Sequence, residues 1–290
     1  MSIPESQLET WSHQGAFSTA KTTADSIKNA LTAYNNWPSG CDYELYLQGS
    51  YKNDTNIRGD SDVDVVAQLN STFYSNLTEE QRRYLRQTPS TYEWQSFKLD
   101  TLNAIKRYYG SSIVTEGNKS IKIAADSGRL PADVVVCAKY REYNTVNSYD
   151  YTEGMIFWTK DNGRKVVNYP KIHYDNGVNK HQVTNRWYKP TVRMMKNIRT
   201  YLESIRAVSN TLSPSYFIEC LLYNVPSHCF GTSYQNTLYY SADWLLKTNL
   251  TPFVCQNGKT LLFGDGHEQW SVFSAQQYMK AVATLWDNWR

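Results

Sequence analysis

A chain of 290 residues has room for one large domain or two modest ones, and 41% hydrophobic residues with 14% aromatics supply a packed core, which excludes a disordered protein. The formal net charge of +3 admits an anionic small ligand but offers no duplex-binding surface, so double-stranded nucleic acid is not an expected partner. Five cysteines (Cys41, Cys137, Cys220, Cys229, Cys255) include no Cys-x-x-Cys pair and are odd in number, which argues against a disulfide framework or a zinc site.

The opening stretch, MSIPESQLETWSHQG, lacks the charged-then-apolar build of a signal peptide. No apolar run approaches the ~20 residues of a membrane helix, so the expected location is the cytosol, with no membrane partner. Ala24, Ile27, Leu31 and Tyr34 recur at helical spacing and predict an amphipathic helix over about 21–35. A strand over about 43–48 follows, then a Gly49-Ser50 turn and polar loop, then a strand at 62–69. Helices are expected at about 77–87 and 96–109, the second presenting Phe97, Leu102, Ile105, Tyr108 and Tyr109 on its apolar side. Strands are expected at Ser120–Ala125, Ala132–Tyr140, Met155–Trp158 and Lys165–Asn168.

The stretch YPKIHYDNGVNKHQVTN, around 169–185, is polar and basic and is expected as a crossing loop, with Lys171, Asn176, Asn179 and Lys180 lining a cleft. His173 and His181 match no metal pair and take structural or surface roles. From about 183 helices dominate, with Pro190 and Pro214 suited to first turns, and the terminal Trp286 and Trp289 read as core or surface anchors. The fold class is α+β: a mixed sheet with helices over 1–182 and a helical half over 183–290. No Gly/Ser linker separates the halves, so they should share an interface, a common place for ligand sites.

In LQGSYKNDTNIRGDSDVDVV, Asp62 and Asp64 fall on one face of a strand, because side chains alternate with period two. They repel unless a cation lies between them. Asp133, the first polar residue of the valine-rich ADVVVCAKY strand, is the candidate third carboxylate. Three carboxylates on adjacent strands can hold two Mg²⁺ ions about 3.5–4 Å apart, an arrangement that activates an attacking hydroxyl and steadies a leaving pyrophosphate. Oxygen-only ligands suit Mg²⁺, with Mn²⁺ a possible substitute. Gly49 lets backbone approach a phosphate closely, and Ser50 adds a donor.

The helical half holds a second constellation. Lys189, Arg193, Lys196 and Thr200 form one stripe of a helix, with Val192, Met195, Ile198, Leu202 and Ile205 on the buried side. Alone the stripe reads as a solvated face; opposite a metal site it becomes a triphosphate clamp. Ser215 opens the helix SYFIECLLYNV, where free N–H groups and the dipole favour an anion. Unaided, Ser213 or Ser215 reads as a cap and Tyr216 as a core residue.

The order Gly-Ser, short loop, Asp-Val-Asp, distant strand Asp resembles the signature of the polymerase-beta-like nucleotidyltransferases. Within these it is most similar to the bacterial CD-NTases, the DncV-like relatives of cyclic GMP-AMP synthase and oligoadenylate synthase, and the resemblance covers essentially the whole chain. It implies a catalytic and metal-binding triad of Asp62, Asp64 and Asp133. It implies nucleotide contacts from Gln48, Gly49, Ser50 and Arg193, with Lys196 on the donor phosphates, Ser215 on a phosphate and Tyr216 stacking on a base. It also implies a two-lobed molecule with a central cleft and an oligoadenylate-synthase-like helical half.

The implied reaction is Mg²⁺-dependent. One NTP donates its nucleotidyl group to the ribose hydroxyl of a second, pyrophosphate leaves, and a second transfer closes a cyclic dinucleotide. The substrates are drawn from UTP, ATP, GTP and CTP, and the product serves anti-phage (CBASS) signalling through a separate effector protein. Nothing matches the zinc ribbon with which the animal enzyme grips DNA. The Asp-Asn-Trp-Arg ending weakly disfavours regulation by ubiquitin-like conjugation.

Asn168, ending the KVVNYPK strand, carries an amide that both donates and accepts, which matches two adjacent positions on the pairing edge of uracil. The expected product therefore contains uridine, such as cyclic UMP-AMP or cyclic UMP-UMP. A purine cyclic di- or trinucleotide synthase, a primer-directed RNA nucleotidyltransferase and a catalytically dead nucleotide-binding module remain the alternatives. The intact triad speaks against the last.

Overall fold

The computed structural model describes residues 2–15, 17–59 and 62–289. The chain forms two compact units, each built from separate pieces of sequence. One comprises the described residues of Ala16–Tyr51 and Ser61–Lys171, the other those of Met1–Gly15, Lys52–Asp60 and Ile172–Arg290. The expected division at 182/183 differs from this in three places: the first fifteen residues, the segment after the Gly-Ser turn, and residues 172–182 all group with the helical unit.

The chain opens with helix α1 (Glu5–Ser12), which sequence reasoning missed. It belongs to the helical unit, where Ile3 and Leu8 join the core and Trp11 packs on Tyr201 and Trp289.

The sheet unit begins with α2 (Ser18–Thr32), whose Ala20, Thr23, Ile27, Ala30 and Leu31 are buried at the spacing of one helical face. It starts and stops about one turn before the predicted bounds, and the Trp37 indole caps Leu31 O at 3.0 Å. Strand β1 (Tyr43–Leu47) leads into α3 (Gly49–Asn53), a short helix where a turn was expected. Then come β2 (Val63–Ser75), α4 (Glu79–Tyr84) with its Thr78–Gln81 capping box, and α5 (Trp94–Tyr109). Strands β3 (Val114–Glu116), β4 (Ile121–Ile123), β5 (Ala132–Tyr143), β6 (Tyr151–Trp158) and β7 (Lys165–Asn168) complete the unit.

Among the described residues these make a seven-stranded mixed sheet in the order β1-β2-β5-β4-β3, with β6 pairing β5 and β7. Strand β5 runs parallel to β2 along one edge; its other edge is shared, first by β4 and then by β6, both antiparallel. Its run Val134–Ala138 is buried throughout, as a strand covered on both faces must be.

The helical unit holds α6 (Pro170–Val183), α7 (Tyr188–Ser204), α8 (Ser215–Tyr223), α9 (Tyr234–Lys247) and α10 (Val272–Asp287). The expected loop over 169–185 is thus helix α6, with Pro170 at its first position. Its pattern hides the helix because His173 and Gly177 are what it buries. A Cβ at Gly177 would overlap the Gln256 side-chain amide, so the glycine serves close approach rather than a turn. Val192, Met195, Ile198 and Leu202 are buried as expected, whereas Ile205 lies just past the helix end, exposed.

Candidate active site

The register of the two parallel strands sets Asp64 on β2 directly against Asp133 on β5, with Lys122 on β4 next in line. Asp62 precedes the strand and is exposed; Asp64 and Asp133 are half-buried. Asp60 and Ser61 lie outside the described residues. Burial raises the Asp133 pKa first of all, opposed by Lys122, while Asp62 raises it further. The Lys122 ammonium stands 3.9 Å from Asp133 Oδ2.

The β1 end closes on the same spot. The Gln48 N–H donates to Asp64 O at 3.0 Å, and Gly49, at φ +65°, lies so close that a Cβ would overlap Asp64 Oδ2. Ser50 follows in α3, half-buried. Gln48, Gly49, Asp62, Asp64 and Asp133 are therefore gathered by one corner of the sheet. Among the described residues no three His, Cys, Asp or Glu side chains converge into a finished metal cage. The donor set nonetheless fits a hard divalent cation: carboxylate oxygens on two adjacent strands, with a third carboxylate close enough to perturb one of them.

In the helical unit Ser215 and Tyr216 open α8. The Ser215 hydroxyl accepts from the Arg199 guanidinium at 3.0 Å, a contact that sequence reasoning missed. The Tyr216 side chain is 44% exposed, and one ring face stacks on His173, with centroids 5.5 Å apart and planes at 21°. Tyr216 is thus a half-exposed ring, not a core residue, although burial of its hydroxyl end near Cys220 and Cys255 raises that group's pKa.

The basic stripe of α7 is neither a solvated face nor an open clamp. Lys196 is only 1% exposed and donates to Thr55 O at 2.9 Å. Arg193 donates to Ser12 O and Asp54 O, and Lys189 pairs with Asp54 at 2.8 Å. The stripe instead grips residues 54–55, beyond α3, and burial lowers the Arg193 pKa. Lys196, expected on the donor phosphates, thus donates here to a carbonyl of its own unit.

Lys171 pairs with Glu44 and Glu153, Asn176 donates to Gln256 O and Lys180 to Val225 O, so these α6-region groups are engaged in structural contacts. Asn168 ends β7, exposed, opposite Met155. Beside it Gly154 must be small, because a Cβ there would meet Asn168 O and the Tyr169 ring at 2.9 Å. All five cysteines are unpaired. Among the described residues no helix is long and apolar enough to cross a membrane.

Comparison with known proteins agrees with this architecture. Residues 27–166 match the nucleotidyltransferase domain model, and 175–287 match the cGAS/DncV-like nucleotidyltransferase C-terminal helical domain. The chain is 52% identical over 291 residues to the cyclic UMP-AMP synthase of Rhodothermus marinus (strain SG0.5JP17-172), covering 100% of this chain and 99% of that protein. It is 39% identical over 302 residues to the cyclic nucleotide synthase CdnE01 of Staphylococcus haemolyticus, both chains covered in full. The Rhodothermus marinus CdnE c-UMP-AMP synthase structure with Apcpp and Upnpp superposes with a TM-score of 0.94 over 99% of this chain and 97% of that one. Nucleotidyltransferases of this kind generally use a divalent metal. The chain is a nucleotidyltransferase of the cGAS/DncV-like, or CD-NTase, family, whose members make cyclic nucleotides.

Proposed function

We propose that the protein joins UTP and ATP into cyclic UMP-AMP in the cytosol, and that this product activates a separate effector in anti-phage signalling. The observation that carries the chemistry is the parallel register setting Asp64 against Asp133, with Asp62 close by. The choice of bases rests on full-length similarity to a cyclic UMP-AMP synthase and on the exposed Asn168 amide.

Asp62, Asp64 and Asp133 would hold two Mg²⁺ ions, which supply charge neutralisation of the phosphates and lower the pKa of the attacking hydroxyl. Gly49 leaves Asp64 room to turn its carboxylate toward that site, and Ser50 and Ser215 donate to phosphate oxygens. Tyr216 offers a face for base stacking, and Asn168 reads a pyrimidine edge. Lys196 and Arg193 act at one remove, through the 54–55 segment they fix.

The test is incubation with all four NTPs and Mg²⁺, with products identified by mass spectrometry. A cyclic UMP-AMP product is expected. A purine-only product would overturn the base assignment, and incorporation into added RNA would overturn the synthase reading.

A further inference from the structure

A buried polar cluster stands behind Tyr216. His173 on α6, 8% exposed, fills one face of the tyrosine ring. Its Nε2 lies 3.2 Å from Glu219 Oε1, on α8, three residues after Tyr216. Glu219 is 6% exposed and also accepts from Asn53 Nδ2 at 2.9 Å, Thr55 Oγ1 at 3.0 Å and Gln256 Nε2 at 3.3 Å. Burial alone would raise the Glu219 pKa, but His173, Lys196 and Thr55 outweigh it and hold the carboxyl below its ordinary range. An ionised carboxylate only accepts, so His173 carries its proton on Nε2. Gln256 donates to His173 O at 2.8 Å, fixing the backbone beneath the same ring.

A lone tyrosine on a helix surface is free to swing about two side-chain torsions, and a ligand that stacks on it must stop that motion. Here the swing is blocked from below by a second ring that is itself held at Nε2 and at its backbone. One Tyr216 face is filled while the side chain stays 44% exposed. A simple core tie between two helices would not need an aromatic partner left half open.

We propose that His173 and Glu219 are positioning residues for nucleotide recognition: the imidazole is the lower ring of a two-ring platform whose upper ring, Tyr216, takes the base of a bound nucleoside triphosphate. This rests on the reading of Tyr216 as the base-stacking residue. Glu219 sets the height and tilt of the lower ring, and its bonds to Asn53 and Thr55 tie the platform to the end of α3 and the residues just beyond it.

The test uses the full chain and the tighter-binding of two non-hydrolysable probes, a UTP and an ATP analogue, with thermal melting to confirm that each variant is folded. His173→Gln keeps a donor for Glu219 but removes the ring; His173→Phe keeps the ring but removes the donor. His173→Gln should weaken analogue binding about three- to tenfold, the scale of one aromatic pair. His173→Phe, which keeps the ring but frees it from Glu219, should fall measurably between wild type and His173→Gln, and the His173→Gln loss should vanish when Tyr216→Ala is already present. Wild-type affinity in His173→Gln would overturn the proposal. So would a loss in His173→Phe as large as that in His173→Gln, or a His173→Gln loss that persists without Tyr216. If Tyr216→Ala alone binds like wild type, the base-stacking reading falls first, and the platform with it.

Discussion

Asp64 occupies with its carboxylate the space that any side chain at Gly49 would need. The glycine is also at φ +65°, where an L-residue is strained. Gly49→Ala should therefore destabilise the fold by about 1–2 kcal/mol from backbone strain and displace the Asp64 carboxylate as well. Pyrophosphate release is expected to fall at least about tenfold, the effect of a barrier rise of 1.4 kcal/mol. Urea titration and a coupled pyrophosphate assay measure the two separately; full activity at reduced stability would show that Asp64 tolerates the shift.

Changing Asp62 and Asp64 together to asparagine should abolish pyrophosphate release and leave the fold intact. Neutral amides are poor ligands for Mg²⁺. Removing like charges beside Asp133 should lower that group's pKa and raise stability slightly. A folded double variant that keeps substantial turnover would remove these carboxylates from the chemistry.

Lys196→Met keeps the apolar stem and removes the donor to Thr55 O. Because the side chain is fully buried and helps hold Glu219 ionised, the expected loss is about 1–3 kcal/mol of stability. Chemical unfolding checks it. A variant of wild-type stability with weakened NTP binding would return Lys196 to direct phosphate contact.

His181 is half-buried among Lys189, Arg193 and Arg186, and its pKa is lowered from 6.5 to about 4, chiefly by burial. The Lys189 N–H lies 3.4 Å from His181 Nδ1, a bond that only an unprotonated Nδ1 can accept. Since the folded pKa is the depressed one, the unfolded chain binds more protons between these values. Stability is fully present above pH 6.5 and declines toward pH 4. His181→Gln should flatten that decline, by on the order of 1 kcal/mol after solvent screening. Melting temperatures measured across the window decide it: equal slopes in both proteins would mean another group titrates there.

Asn168→Ser, given equimolar NTPs, should shift the product spectrum away from uridine, because the shorter hydroxyl cannot reach two neighbouring positions of a pyrimidine edge. An unchanged spectrum would remove Asn168 from base selection.

The sheet and its carboxylate corner were legible because both signals are local. Alternation marks β2 and places Asp64 on it, although Asp62 falls just before the strand; a valine run announces β5, and glycine precedes serine at the close approach. The helices that were missed are those whose reasons lie elsewhere in the chain. Helix α1 is eight residues long and forms against α7, and α6 buries a histidine and a glycine that only Glu219 and Gln256 explain. From sequence the α7 stripe reads as a solvated face or, opposite a metal site, as a triphosphate clamp, because three basic residues in a row of turns ordinarily stay accessible. Asp54 and the carbonyls of Ser12, Asp54 and Thr55, the acceptors that let them go under, are 135 or more residues away in sequence.

The placement of α1 on α7 also sets an order of events at the ribosome. Helix α7 begins about 175 residues after α1 ends, so at roughly 5–20 residues per second the first helix waits on the order of 10–35 s for its partner. During that interval Ile3, Leu8 and Trp11 have no permanent cover, and the sheet unit between them can finish first. The helical unit closes only when α7 returns to α1, so its assembly reports that translation has run through the whole sheet unit between them.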